Sequence, residues 1–377
     1  MAGIYLHIPF CKSKCLYCNF FSVASLSSRQ DFLRSLQKEI MIRKDFLAGK
    51  KIKTIYFGGG TPSLISSSEI NSILENIRKV FSAEDTTEIT LEANPDDINT
   101  RNLQDWQKAG INRLSIGIQS FADEDLAYLG RTHNGVQAER SVRLALENGF
   151  SNVSLDFIYG MPTLSDTVFE TNLEKAVNLG IPHISAYALT VEPKTGLEVM
   201  IRKNRIQGPD EEKTVSRFRF LMQYLGSRNY EHYEISNFCL PGMYSQHNSS
   251  YWKGDDYLGL GPSAHSFNGT SRQWNVSSIS QYIDLIGSCR LHFETEILTM
   301  SQKFNEYVMV SLRTIWGVSL DHINKTFGEN SALHFKTRVL KYLESEEMLE
   351  HEEIFTLSDK GKLFADKISA DLFLDND

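Results

Sequence analysis

Six short apolar runs, each followed by an amphipathic stretch, constrain this chain more than any other feature. They read GIYLHI, IKTIYFGGG, TEITLEANP, NRLSIGIQSF, NVSLDFIYGMP and PHISAYALT, all between residues 3 and 190. Across residues 29–46, Phe32, Leu33, Leu36, Ile40 and Phe46 recur at helical spacing, and Ile70, Ile73, Leu74, Ile77 and Phe81 do so across 68–81. NTRNLQDWQKAG opens on a cap at Asn99 or Thr100 and stops at Gly110, while SLSSRQDF and SSSEI supply further capping residues. Strand alternating with helix implies parallel strands joined by crossover helices. Polar or glycine-rich residues follow nearly every run: His7 and the cysteines, Gly58–Thr61, Glu92–Pro95, Gln119 and Asp156–Pro162. An open sheet concentrates such residues at one switch point, whereas a barrel spreads them over all its strand ends. The expected fold is therefore α/β, a partial (β/α)6 TIM-like barrel.

The rest of the chain is patterned differently. Residues 191–275 are less regular, with one helix expected over about 210–228 and a polar, aromatic segment after it. From about 298, TMSQKFNEYVMVSLRTIWGV, SLDHINKTFG and HFKTRVLKYLESEEML read as helices, and LEHEEIFTLSDKGKLFADKI as a hairpin and a final helix. Two units are expected: 1–275, the barrel with a substrate-side extension, and 276–377, a helical, winged-helix-like module. The net charge of −8 over 377 residues argues against a general nucleic-acid binder. No signal peptide and no bilayer-length apolar run is visible, so the expected location is cytoplasmic, with thiols kept reduced.

Three of the five cysteines, Cys11, Cys15 and Cys18, stand in HIPFCKSKCLYCNF, spaced C-x3-C-x2-C. Cys239 and Cys289 stand alone. In a reducing compartment a thiol cluster points to metal ligation. An iron–sulfur cluster, a zinc ion completed by His7, and three unrelated thiols are the readings open at this point. Three thiolates on a four-iron cube leave one iron open to a substrate or cofactor. The next strand ends in YFGGGTPS, where glycines allow close approach of a ligand or simply a tight turn.

C-x3-C-x2-C after a first strand, with Tyr17 before the last cysteine, resembles the signature of radical S-adenosylmethionine enzymes. The resemblance implies a 4Fe–4S cluster on Cys11, Cys15 and Cys18 with S-adenosylmethionine on the open iron. It carries Gly59, Gly60 and Thr61 as the cofactor loop. Tyr5, Glu92 (LEANP), Gln119 (IGIQSF), Arg131 (LGRTHN) and Asp156 (DFIYGMP) follow as cofactor-binding residues. Y-x-HIPFC, GGGTP, E-x-NP, GIQSF, LGRTH and YGMP are similar, in order and spacing, to the oxygen-independent coproporphyrinogen III oxidase group. The match spans roughly residues 3–270 and is weaker beyond.

Within that group, three features resemble the haem-chaperone branch. Phe20 stands where the oxidases carry a fourth cysteine, only ten residues precede Cys11, and HNSSYW matches a haem-associated H-N-x-x-Y-W motif. Asn19 departs from that branch's usual aspartate. The resemblance implies a protein that binds haem and passes it to acceptor haem proteins, with His247 as iron ligand and Tyr251 and Trp252 stacked on the macrocycle. Lys253 or Arg272 would pair with a propionate, and Cys239 and His265 are rival iron ligands. A homodimer is compatible with this reading. An active coproporphyrinogen oxidase is the alternative, and a zinc-binding protein without radical chemistry the third.

Overall fold

The computed structural model describes residues 1–290 and 293–375. The first half runs β1 (Ala2–Ile8), α1 (Arg29–Ile42), β2 (Ile52–Gly59), α2 (Ser67–Val80), β3 (Ala83–Ala93), α3 (Thr100–Ala109), β4 (Arg113–Gln119), α4 (Asp123–Leu129), α5 (Gly135–Glu147), β5 (Val153–Tyr159), α6 (Asp166–Asn178) and β6 (His183–Ala188). The local signals set these boundaries. Ser66 and Glu69 form a capping box at the start of α2. Asn99 accepts the Asn102 N–H at 2.9 Å at the start of α3, and Gly110 ends that helix at φ 103°.

Strands β1 to β6 pair in parallel and in chain order. No reversal of order occurs among them, so no switch point forms and the sheet curls into a partial barrel. Along β1, Ile4, Leu6 and Ile8 are buried in the same core as Phe32, Leu36 and Ile40 of α1. Tyr5 and His7 alternate with them and face the barrel interior, where Tyr5 stacks on Tyr56 of β2 at 6.0 Å.

Both edges of the barrel are extended by segments that, apart from the helix expected over about 210–228, the sequence pattern left irregular. These are α7 (Gly196–Arg202), α8 (Glu211–Gly226), β7 (Glu231–Glu234), β8 (Asn237–Cys239), α9 (Gln246–Trp252), β9 (Asp256–Leu260), β10 (His265–Phe267), β11 (Ser271–Asn275), α10 (Ile279–Gly287) and β12 (Phe293–Ile297). The twelve-stranded sheet has the order β12-β11-β10-β9-β1-β2-β3-β4-β5-β6-β8-β7. Strands of three to five residues carry too little alternation to be read as strands from sequence.

The C-terminal module comprises α11 (Met300–Leu312), β13 (Val318–Ser319), α12 (Leu320–Phe327), α13 (Glu329–Glu344), β14 (Met348–His351), β15 (Ile354–Leu357) and α14 (Ala365–Leu372). Its three strands form a separate sheet, and its core runs from Phe304 to Leu372. Ile279, Tyr282 and Ile286 of α10 lie instead in the barrel core, and β12 pairs with β11. The cores thus divide between β12 and α11, later in the chain than the 275–276 boundary expected from sequence. Among the described residues no helix is long and apolar enough to cross a membrane.

Candidate functional site

The loop after β1 carries the three cysteines, all free thiols and all partly buried. Its two ends are sewn together: Cys11 N–H donates to the Val23 carbonyl at 3.0 Å, and Val23 N–H to the Pro9 carbonyl at 2.8 Å. Its middle is held by Leu16. Leu16 N–H donates to the Leu129 carbonyl at 3.1 Å, and the Leu16 carbonyl accepts from Leu197 N–H at 2.7 Å. The Leu16 side chain lies over Gly130 and Gly196, where an added Cβ would come within 3.1 and 3.0 Å of it.

The GGGTP loop closes against this segment. Gly60 N–H donates to the Ile8 carbonyl at 2.8 Å, and Thr61 N–H to the Phe10 carbonyl at 2.7 Å. A Cβ on Gly60 would sit 2.6 Å from the Phe10 oxygen, and Gly59 has φ 109°. Glycine is required here by the approach of one backbone to another.

A cavity of about 430 Å³ opens between these loops and the strand ends. Cys11, Cys15, Cys18, Gly59, Gly60, Thr61, Glu92, Gln119, Arg131 and Asp156 all line it. Tyr5 does not; it lines a second cavity, with His7. Glu92 accepts from the Tyr56 hydroxyl at 2.9 Å and from Gly59 N–H at 3.2 Å. Burial pushes its carboxyl up to about 7, despite those bonds and with Asp156 adding to the shift. Asp156 accepts from the Ser115 hydroxyl at 3.0 Å, and burial raises it to about 6. Arg131 donates to Asn94 Oδ1 at 2.9 Å, to the Gly117 carbonyl at 2.8 Å and towards Cys15 Sγ at 3.4 Å. Burial raises the Cys18 thiol, and the neighbouring Cys15 and Cys11 raise it further. Cationic iron bound there would offset that repulsion and hold the sulfurs as thiolates.

The donor set fits a 4Fe–4S cluster. Three reduced thiols face one cavity, and each corner of a cube takes one thiolate, so the sulfurs need not converge on a point. Among the described residues no three His, Cys, Asp or Glu side chains close around a single ion. His7, the fourth ligand of the zinc reading, is committed elsewhere, with Nε2 2.8 Å from the Phe21 carbonyl and Nδ1 3.3 Å from the Tyr5 hydroxyl.

The cavity continues down into the barrel, lined by Arg113, Ser115, Ser154, His183 and Ser185. This polar well, and Asn94 beside Arg131, escaped the sequence reading. The signal available was the alternation itself: in Leu114-Ser115-Ile116 and Val153-Ser154-Leu155 the polar member is the inward one.

The residues expected to meet haem are divided by the fold. His247 is buried on α9, which closes the opposite end of the barrel. Its Nδ1 is 2.7 Å from Thr54 Oγ1 and its Nε2 is 2.8 Å from the Tyr251 hydroxyl. Its ring stacks on Tyr56 at 4.9 Å, and burial lowers its pKa to about 3. Glu88 of β3 accepts the N–H groups of Gln246 and His247 at 3.2 and 3.0 Å, anchoring the helix start. His247 thus has no free ring nitrogen for iron in this arrangement, and Tyr251 is tied to it. Tyr251 and Trp252, at the end of α9, line the second cavity, together with His265 and Arg272. Lys253 lies over the Trp316 ring at 4.3 Å. Cys239 is buried in β8, its thiol pushed up to about 12 by burial.

Comparison with known proteins agrees with this geometry. The family model described as the radical SAM superfamily matches residues 5–176. The heme chaperone HemW of Bacillus subtilis is 33% identical over 98% of this chain and 98% of its own length. That of Mycobacterium tuberculosis is 32% identical over 97% and 93%. That of Escherichia coli is 37% identical over 70% and 69%. The solved structure of coproporphyrinogen III oxidase (HemN) from Escherichia coli, a radical SAM enzyme, superposes with a TM-score of 0.85. It covers 99% of this chain and 90% of that one at 21% identity, a likeness of fold.

Proposed function

The chain belongs to the radical SAM superfamily and, within it, to the heme chaperone HemW family, and on that basis we propose that it binds haem and delivers it to acceptor haem proteins. The observation that carries this reading is the first cavity. It gathers the three thiols and every expected S-adenosylmethionine residue except Tyr5, while Phe20 stands at its rim, 64% exposed, where an oxidase has its fourth cysteine.

Cys11, Cys15 and Cys18 hold a 4Fe–4S cluster, and Gly59, Gly60 and Thr61 flank S-adenosylmethionine. Glu92, Gln119 and Asp156 offer oxygens to hydroxyl groups, and Arg131 is placed to meet a carboxylate. When both cofactors are bound, the chemistry they supply is reductive cleavage of S-adenosylmethionine. The chain's own contribution is to hold the thiols, exclude water and orient the cofactor.

The remaining parts of the reading follow from composition. Five free cysteines suit a reducing cytoplasm, and a net charge of −8 suits protein acceptors better than nucleic acid. A homodimer is compatible with this reading, and light scattering with and without haem measures it. The deciding experiment mixes haem-loaded protein with an apo-haem protein, and separately incubates the reconstituted chain with coproporphyrinogen III, reductant and S-adenosylmethionine. Haem transfer without decarboxylation is expected. Turnover to protoporphyrinogen would replace the chaperone reading with the oxidase one.

A further inference from the structure

The second cavity, about 470 Å³, lies beside the cysteine loop, where β9, β10 and β11 continue the sheet past β1. Tyr257 of β9 pairs in register with Gly3 and shares its inward face. Its volume is that of an ordinary small-molecule site. Its walls are aromatic: Phe20 and Phe21 from the cysteine loop, Tyr251 and Trp252 from α9, and Tyr257 and Phe267 from the sheet. Phe20 lines both cavities. Flat, apolar surfaces facing one space suit a flat, apolar ligand.

Among the polar groups of these walls, which include Asp255 and Glu306, two stand out. His265 is exposed, and its ring nitrogens have no hydrogen-bond partner among the described residues, whereas His7, His183 and His247 each have both nitrogens engaged. One face of its ring is braced by Trp274 at 5.9 Å. The partial desolvation of its ring at the cavity wall, with Arg272 nearby, lowers its pKa, which keeps the lone pair of the neutral imidazole available. Arg272 lies 5.9 Å from the Phe267 ring and is paired with Glu306 of α11. A free imidazole, an arginine and aromatic walls are the elements that recognise iron, a carboxylate and a macrocycle.

We propose that this second cavity is the haem seat, with His265 donating a nitrogen lone pair to the iron and Arg272 pairing with a propionate. The assignment rests on the haem-chaperone reading and moves the iron ligand from His247 to His265. The coordination bond forms without electron transfer. The propionate competes with Glu306 for the guanidinium, so haem entry weakens a contact between the sheet and α11.

The test titrates ferric haem into the full chain and follows the Soret and visible bands, with the fold of each variant checked by circular dichroism. Wild type should give a histidine-ligated spectrum. His265→Ala should lose it and regain it with added imidazole, while His247→Asn should keep it. Arg272→Gln should weaken binding about tenfold, and Glu306→Gln should strengthen it. An unchanged spectrum in His265→Ala, or its loss in His247→Asn alone, overturns this seat while leaving the chaperone reading in place. A wild-type chain that binds no haem removes both.

Discussion

Arg131 joins Cys15 to Asn94: one guanidinium nitrogen lies 3.4 Å from the Cys15 sulfur and another 2.9 Å from Asn94 Oδ1. A single half-buried cation therefore sits against a thiol of the cysteine loop, at the edge of the first cavity. Arg131→Gln should still take up iron and sulfide, but should bind S-adenosylmethionine more weakly by about 2 kcal/mol. Perturbation of the reduced cluster's paramagnetic resonance signal by added S-adenosylmethionine measures this. Arg131→Lys should recover only part of the loss, because an ammonium cannot span the same three acceptors in one plane.

Gly60→Ala tests the backbone contact that closes the cysteine loop. A methyl group 2.6 Å from the Phe10 oxygen must push the two segments apart. Iron and sulfide content after anaerobic reconstitution should fall well below that of wild type, while far-ultraviolet dichroism stays unchanged. Full loading would show that the loop tolerates displacement.

Glu92 has its carboxyl raised to about 7 by burial, so it is half protonated near neutral pH. Only the ionised form presents both oxygens purely as acceptors, the state that the proposed pairing with ribose hydroxyls requires. S-adenosylmethionine affinity should therefore rise with pH through about 7 and then level off. In Glu92→Gln that dependence should vanish, which calorimetric titrations from pH 6 to pH 8.5 would reveal.

His247 is neutral when folded, with a pKa lowered by burial to about 3. Below the ordinary value near 6.5 the unfolded chain takes up a proton that the folded chain refuses. This residue's stabilisation is thus fully present above pH 6.5 and is lost as pH falls, by about 1.4 kcal/mol per pH unit. His247→Asn should be less stable than wild type at pH 7.5, since it leaves Thr54 or Tyr251 without its partner. The gap should shrink towards pH 4.5, as read from urea midpoints. A constant gap would mean that His247 takes up its proton in the folded protein at the same pH as in the unfolded chain.

Glu39 of α1 organises the extension beyond β1. It is fully buried and accepts from the Tyr282 hydroxyl at 2.6 Å, Asn275 Nδ2 at 2.8 Å and Gly261 N–H at 2.8 Å. Glu39→Ala strands three donors and should cost on the order of 3 kcal/mol or more. Glu350→Ala, at an exposed position on β14, should stay within about 0.5 kcal/mol.

The sequence made the barrel legible because its six strands are long, apolar and separated by capped amphipathic helices. Asn99 and Gly110 bound α3 as the pattern predicts. The extension from β7 to β12 was illegible, because its strands are short and gain their partners from β1 and β6, far away in the chain. That the thiols, Glu92, Gln119, Asp156 and Arg131 share one cavity was legible through motifs, the last of them after α4 and the others in or beside strands β1 to β5. The place of His247 was not. HNSSYW reads the same whether its histidine faces a ligand or a barrel floor, and only Thr54 and Glu88, on other strands, decide between them. Gly60 was read as making room for a cofactor, yet its nearest neighbours are the Phe10 and Ile8 carbonyls.

Leu16 is held by the Leu129 carbonyl and by Leu197 N–H, residues made long after it during synthesis. On the ribosome the three cysteines therefore emerge without the groups that shape their loop. The loop that presents the thiols takes its shape only once α4 and α7 have docked on either side of Leu16.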